Sequence, residues 1–133
     1  MGKGTAFRKI VVLGKQYKWR YCYDDLEFVK YPFSYYLFVP DENKKLMVKV
    51  IFRELEPSML IEKDYGTQAK YGDREVWINL NRPRYAALVI AEVFERMVDI
   101  KNDFGTKELN GENILRSLGY EFQNFSDRIG RKA

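Results

Sequence analysis

One stretch, residues 82–100 (RPRYAALVIAEVFERMVDI), limits what this chain can become, because it alone carries a sustained helical period. Ala86, Val89, Ile90, Val93, Met97 and Ile100 recur at the three-and-four spacing that lines one face of an α-helix, with Glu92, Glu95, Arg96 and Asp99 on the opposite side. Asn81 stands where an N-cap belongs, and Pro83 falls in the first turn, where a missing N–H costs little. Most of the other apolar stretches alternate with the period of a strand, so the helix is expected to lie as a lid over a sheet.

Before it come two hairpins and a single strand. Residues 7–13 and 17–23 read as strands joined at Gly14-Lys15, a turn with Gly at its first central position. That turn sets Val12 opposite Tyr17 and Ile10 opposite Trp19, and it gathers Lys9, Lys18 and Arg20 on the reverse face with Val11 and Cys22. Residues 35–39 and 46–53 form a second pair around PDENKK. Pairing Val39 with Leu46 brings Leu37 to Val48, Tyr35 to Val50 and Phe33 to Phe52, and turns Phe38, Tyr36, Met47 and Lys49 to the other side. Residues 54–74 read as a possible short helix over PSMLIEKDYG followed by a polar turn region, TQAKYGD. Residues 75–80 alternate Val76, Ile78 and Leu80 against Trp77 and Asn79 as a further strand.

After the helix, residues 101–111 are polar and turn-rich, and ENILRSLG reads as a short helix anchored by Ile114, Leu115 and Leu118 and stopped by Gly119. YEFQNF is a last strand or an extended arm.

These elements predict an α+β fold in one domain spanning residues 1–133. It is a mostly antiparallel sheet of about five strands, with the long helix packed on one face and the short C-terminal helix beside it. The expected core is Ile10, Val12, Trp19, Leu37, Val39, Leu46, Val48, Val50, Phe52, Ile78, Leu80, Val89, Ile90, Val93 and Met97. A hydrophobic share of 46% suffices for such a core without disulfides or a structural metal.

Composition prunes the chemistry. There is no histidine, which removes the commonest general base, metal ligand and partner of a nucleophile. The single cysteine, Cys22, excludes an internal disulfide or a multi-cysteine metal site and suits a reducing, cytoplasmic setting. No apolar run approaches the roughly 18 residues that span a bilayer, and MGKGTAFRK lacks the apolar centre of a signal peptide. No cofactor or metal is expected. The helical acids read as a solvated face, and Cys22 beside Lys18 and Arg20 reads as packing more readily than as a reactive thiolate.

The charge is lopsided: residues 1–53 hold 11 Lys and Arg against 5 Asp and Glu, or +6, while residues 54–133 hold 12 against 14, or −2. Three functional readings follow. The first is a non-catalytic interaction domain acting as a homo-oligomer, because Ala87, Leu88, Ala91, Phe94 and Val98 extend the apolar surface of the helix beyond one stripe. The second is single-stranded nucleic-acid binding on a basic, aromatic sheet face, with Lys18, Arg20, Lys49 and Arg53 at phosphates and Tyr36 and Phe38 stacking on bases. The third is a small apolar ligand held between helix and sheet, or a histidine-free hydrolase or nuclease using Asp24, Asp25, Glu54 or Glu56.

The segments LGKQYKWRYC and INLNRPRYAALVIAEVFERM together resemble small uncharacterised bacterial α+β proteins. Those proteins open with a hairpin of strand, Gly turn and Tyr-x-Trp-Arg, and later place a helix against the sheet. That family carries no assigned activity, so the resemblance implies an arrangement and transfers no functional residue.

Overall fold

The computed structural model describes residues 3–4, 6–24, 33–53 and 67–121. Its elements run β1 (Lys3–Gly4), β2 (Arg8–Val12), β3 (Lys15–Asp24), β4 (Phe33–Pro40), β5 (Leu46–Phe52), β6 (Thr67–Tyr71), β7 (Arg74–Ile78), α1 (Pro83–Arg96), β8 (Gly105–Asn110), α2 (Gly111–Ser117) and β9 (Tyr120–Glu121). The main sheet has the order β1-β3-β4-β5-β8, with β2 also paired to β3, and a smaller sheet has the order β7-β6-β9. Every pairing is antiparallel except β5 with β8. The fold is therefore α+β and mostly antiparallel, with α1 the one long helix, as the periodicities predict.

The strand count exceeds the expected five by the two-residue strands β1 and β9 and by two strands, β6 and β8, that carry no apolar alternation. β8 (GTKELN) is an edge strand exposed along nearly its whole length, so it has no buried face to betray it. β6 (TQAKY) buries Ala69 and turns back into β7 through Gly72, whose φ is 64°. The predicted short helix in residues 54–66 lies outside the described residues, as does whatever follows Glu121.

Two registers differ from expectation, with unlike consequences. The β2–β3 turn is Leu13-Gly14, both residues at positive φ (51° and 80°), which is the primed turn that matches strand twist. Ile10 therefore pairs with Tyr17 and Lys9 with Lys18. This is a two-residue shift, and a period of two leaves every side chain on its expected face. Across β4 and β5, Phe38 pairs with Val48 and Tyr36 with Val50, one residue from the expected pairing. A one-residue slip exchanges the faces. Tyr36 and Phe38 are thus core residues, while Leu37 and Val39 are only half-buried on the outer face. β4 is apolar or aromatic at nearly every position (FSYYLFVP), so its own pattern cannot choose; the alternation of Leu46, Val48, Val50 and Phe52 on β5 chooses for it.

Trp19, Tyr21, Tyr36, Phe38, Leu46 and Phe52 fill the inner face beneath Tyr85, Ala86, Val89, Ile90 and Val93 of α1. The helix begins one residue later than an Asn81 cap would give: Arg82 is the N-cap, without a side-chain cap bond, and Pro83 opens the helix. The Asn79 side chain instead accepts from the Asn81 N–H at 3.0 Å within the preceding turn. The helix also ends before Ile100. Asp99 accepts from the backbone N–H of Lys101 and Asn102, and Asp103 accepts from that of Asp99, a local alternative to helical bonding. Met97 is consequently 44% exposed rather than core, whereas Ile100 remains buried from the turn. Gly119, at φ 105°, follows the end of α2 as predicted. Among the described residues no helix is long and apolar enough to cross a membrane.

Val93→Asp should abolish the cooperative unfolding transition seen by circular dichroism, since Val93 is fully buried and an unpaired interior carboxylate has no compensation. Leu13→Asn should raise the melting temperature, because asparagine tolerates positive φ that costs other L-residues roughly 1–2 kcal/mol.

Candidate nucleic-acid interface

The outer face of the main sheet collects alternate residues of five strands. Lys9 pairs with Lys18, and Lys18 with Val39. A second row runs Arg20, Leu37, Lys49 and Glu108, and a third Cys22, Tyr35, Ile51 and Asn110. Lys9, Lys18 and Arg53 are exposed, and Arg20 and Lys49 are half-buried. The outward positions described on β2, β4 and β5, and those of β3 from Gln16 to Cys22, include no acid; Glu108 on the β8 edge faces Lys49.

Aromatic rings lie under these cations. The Lys49 ammonium is 4.5 Å from the centre of the Tyr35 ring, the Arg53 guanidinium 5.1 Å from that of Phe33, and the Arg20 guanidinium 5.9 Å from that of Phe7. Phe33 and Tyr35 sit side by side, their centroids 6.1 Å apart. Such pairs hold both partners at the surface, since the ring quadrupole attracts the cation without removing it from water.

Lys18, Arg20, Lys49 and Arg53 therefore share one face, but Tyr36 and Phe38 do not join them. Both are fully buried on the helix side, where Tyr36 stacks on Phe38 at 5.0 Å and meets Phe52 edge-on at 5.6 Å. The Tyr36 hydroxyl donates to the Leu80 carbonyl, and burial pushes its phenol well above the usual range, so it remains a neutral donor. The rings on the basic face are Phe7, Phe33 and Tyr35. Only the pairing register of β4 against its neighbours separates the two sets, and that is the signal a reading of β4 alone lacks.

Of the five helix residues considered for self-association, Ala87, Ala91, Phe94 and Val98 pack partly against the core; Phe94 lies 4.9 Å from Tyr17, ring to ring. Leu88 is 39% exposed. The candidate catalytic acids Asp25, Glu54 and Glu56 lie outside the described residues, as does the side chain of Asp24. Glu92 pairs with Arg96 at 3.3 Å, and Asp99 is occupied in its turn. Among the described residues no group of three potential metal ligands gathers. Cys22 is buried in the third row; burial raises its thiol above the usual value, outweighing the opposing pull of Arg20 and the hydrogen bond with Tyr35.

No protein-family model matches the chain, and neither a curated protein nor a solved structure matches it significantly.

Cys22 should react with a neutral disulfide reagent many-fold more slowly in the folded protein than in denaturant, because burial both shields it and depletes the thiolate. A native-state rate equal to that of the unfolded chain would contradict this placement.

Proposed function

We propose that the chain is a non-catalytic binding domain whose outer sheet face takes single-stranded nucleic acid. The observation that carries this reading is the coincidence, on one face, of five cations (Lys9, Lys18, Arg20, Lys49 and Arg53) with the rings of Phe7, Phe33 and Tyr35. Lys9 directly opposite Lys18 is an unfavourable like-charge pair, and a phosphate between them would relieve it. Tyr35 and Phe33 offer neighbouring flat surfaces for two successive bases, and the cations beside them reach the backbone. Stacking on the rings of a sheet face requires unpaired bases, which favours single strands over duplex. A reducing compartment, the cytoplasm, suits such a domain with its one buried free thiol.

Fluorescence anisotropy with mixed-sequence RNA and DNA oligonucleotides tests this. Affinity should fall steeply with salt, and Lys18→Ala and Lys49→Ala should each flatten the log–log salt slope by about one. Tyr35→Ala should cost about 1–3 kcal/mol of binding, whereas Leu88→Ala, on the helix, should leave affinity unchanged. Absence of binding at about 50 mM salt, where phosphate contacts are strong, would discard the proposal.

A further inference from the structure

Among the described residues the main sheet ends in two edges, β2 with β1 on one side and β8 on the other. β2 is joined to β3 by the two-residue turn Leu13-Gly14, so the flanking pair, Val12 and Lys15, exchanges N–H and C=O, and exchanging pairs alternate from there along the hairpin. Ile10 and Tyr17 are the next to exchange. Lys9 and Val11 therefore turn their backbone N–H and C=O away from β3, and no backbone bond among the described residues receives them.

The side chains along this edge are as little used. Val11 is 67% exposed, Leu13 70% and Phe7 43%. Natural edge strands are guarded by charge, proline or a bulge. Here the pairing of β2 with β3 runs without a bulge, and between Lys9 and the turn stand only Ile10, Val11 and Val12. Leu13 is moreover held at φ 51°, where asparagine or glycine would carry less strain, so an exposed apolar residue is kept at a cost.

The sequence of this edge is self-complementary in one register. An antiparallel pair of identical strands has its two-fold axis perpendicular to the sheet, so a residue meets only residues of its own face. Centred on Lys9, the pair would oppose Lys9 to itself; centred on Val11, it would send Lys9 to Leu13 in the turn. Centred on Ile10, Lys9 of each copy meets Val11 of the other, and Phe7 meets Leu13. The outward N–H and C=O of both Lys9 and Val11 are then all bonded, and no like charges stand directly opposed. The other edge has no such solution at its middle: β8, GTKELN, centred on Lys107 or on Glu108 sets that charge against itself.

We infer that β2 is the docking edge for a second copy of this chain, paired antiparallel about Ile10. The two main sheets join into one, with both outer faces on the same side. This pairing does not rest on the nucleic-acid reading.

Sedimentation velocity of the full chain without nucleic acid tests the inference, up to about 1 mM, the weak end of specific association. A monomer–dimer equilibrium is expected. Val11→Pro should leave a monomer that still melts cooperatively, because the N–H it removes is not bonded to β3 and proline is tolerated on an edge. Val11→Glu sets a carboxylate against Lys9 of the other copy and should tighten the dimer about two- to thirtyfold, the range for two symmetric cross-strand ion pairs; Val11→Lys should loosen it by a similar factor. A chain that stays monomeric throughout, a dimer that survives Val11→Pro, or glutamate and lysine at position 11 shifting association in the same direction would overturn the inference.

Discussion

The structure depends on one buried polar contact inside an aromatic layer. Trp19, Tyr21, Tyr36, Phe38 and Phe52 cover the inner face of the sheet, each almost wholly out of water. Ring pairs of this kind add about 0.5–1.5 kcal/mol each beyond the area they bury, but a tyrosine in their midst is tolerable only if its hydroxyl is satisfied. Tyr36 meets that condition at the Leu80 carbonyl, in the turn leading into α1. The same turn receives a second tie from β2: Arg8 donates to the Asn81 carbonyl and side chain at 3.1 and 2.8 Å, while its guanidinium lies 3.8 Å over the Trp19 ring. The start of the helix is thereby fixed by the sheet, which explains why α1 needs no side-chain cap.

That constraint decides what the outer face can be. Once the large rings of β4 occupy the interior, parity sends Tyr35, Leu37 and Val39 outward with Lys18, Arg20 and Lys49. The basic face is thus the complement of the core, set by the same registers. At the far end of the sheet, Asn43 of the β4–β5 turn holds the carbonyls of Ile100 and Asp103 at 2.9 Å each, binding the segment after α1 to the hairpin and delivering β8 to its parallel place beside β5.

How much of this was legible follows from where the residue pattern is one-sided. β3 and β5 alternate clearly, and α1 has a single apolar stripe, so their inward residues were readable: Trp19, Val48, Val50, Val89, Ile90 and Val93 all lie in the core. Each hairpin puts its own cations on one side, Lys18 and Arg20 in the first and Lys49 in the second, but that the two sides coincide follows only from the β3–β4–β5 pairing. β4 is two-sided, and a strand without a polar face has no local preference for either register; its pairing with β3 and β5 settles it. β8 was illegible for the opposite reason, being polar on both sides. The early end of α1 turns on Asp99 and Asp103, whose competition with the helix is a matter of geometry rather than composition.

The outer face pairs its rings with its own cations. Lys49 over Tyr35, Arg53 over Phe33 and Arg20 over Phe7 each set a cation against a ring, half-buried at Tyr35 and Phe33 and exposed at Phe7. At an exposed site such a pair is worth about 0.5–1 kcal/mol. In the proposed complex the cation turns to phosphate and the ring takes a base, so each pair is exchanged for two stronger contacts rather than simply lost. The exchange is favourable only for a ligand that brings both a negative backbone and flat apolar groups. A polyanion without bases would win the cations and leave the rings exposed, and this sets single-stranded nucleic acid apart from an acidic polymer as the better fit to this face.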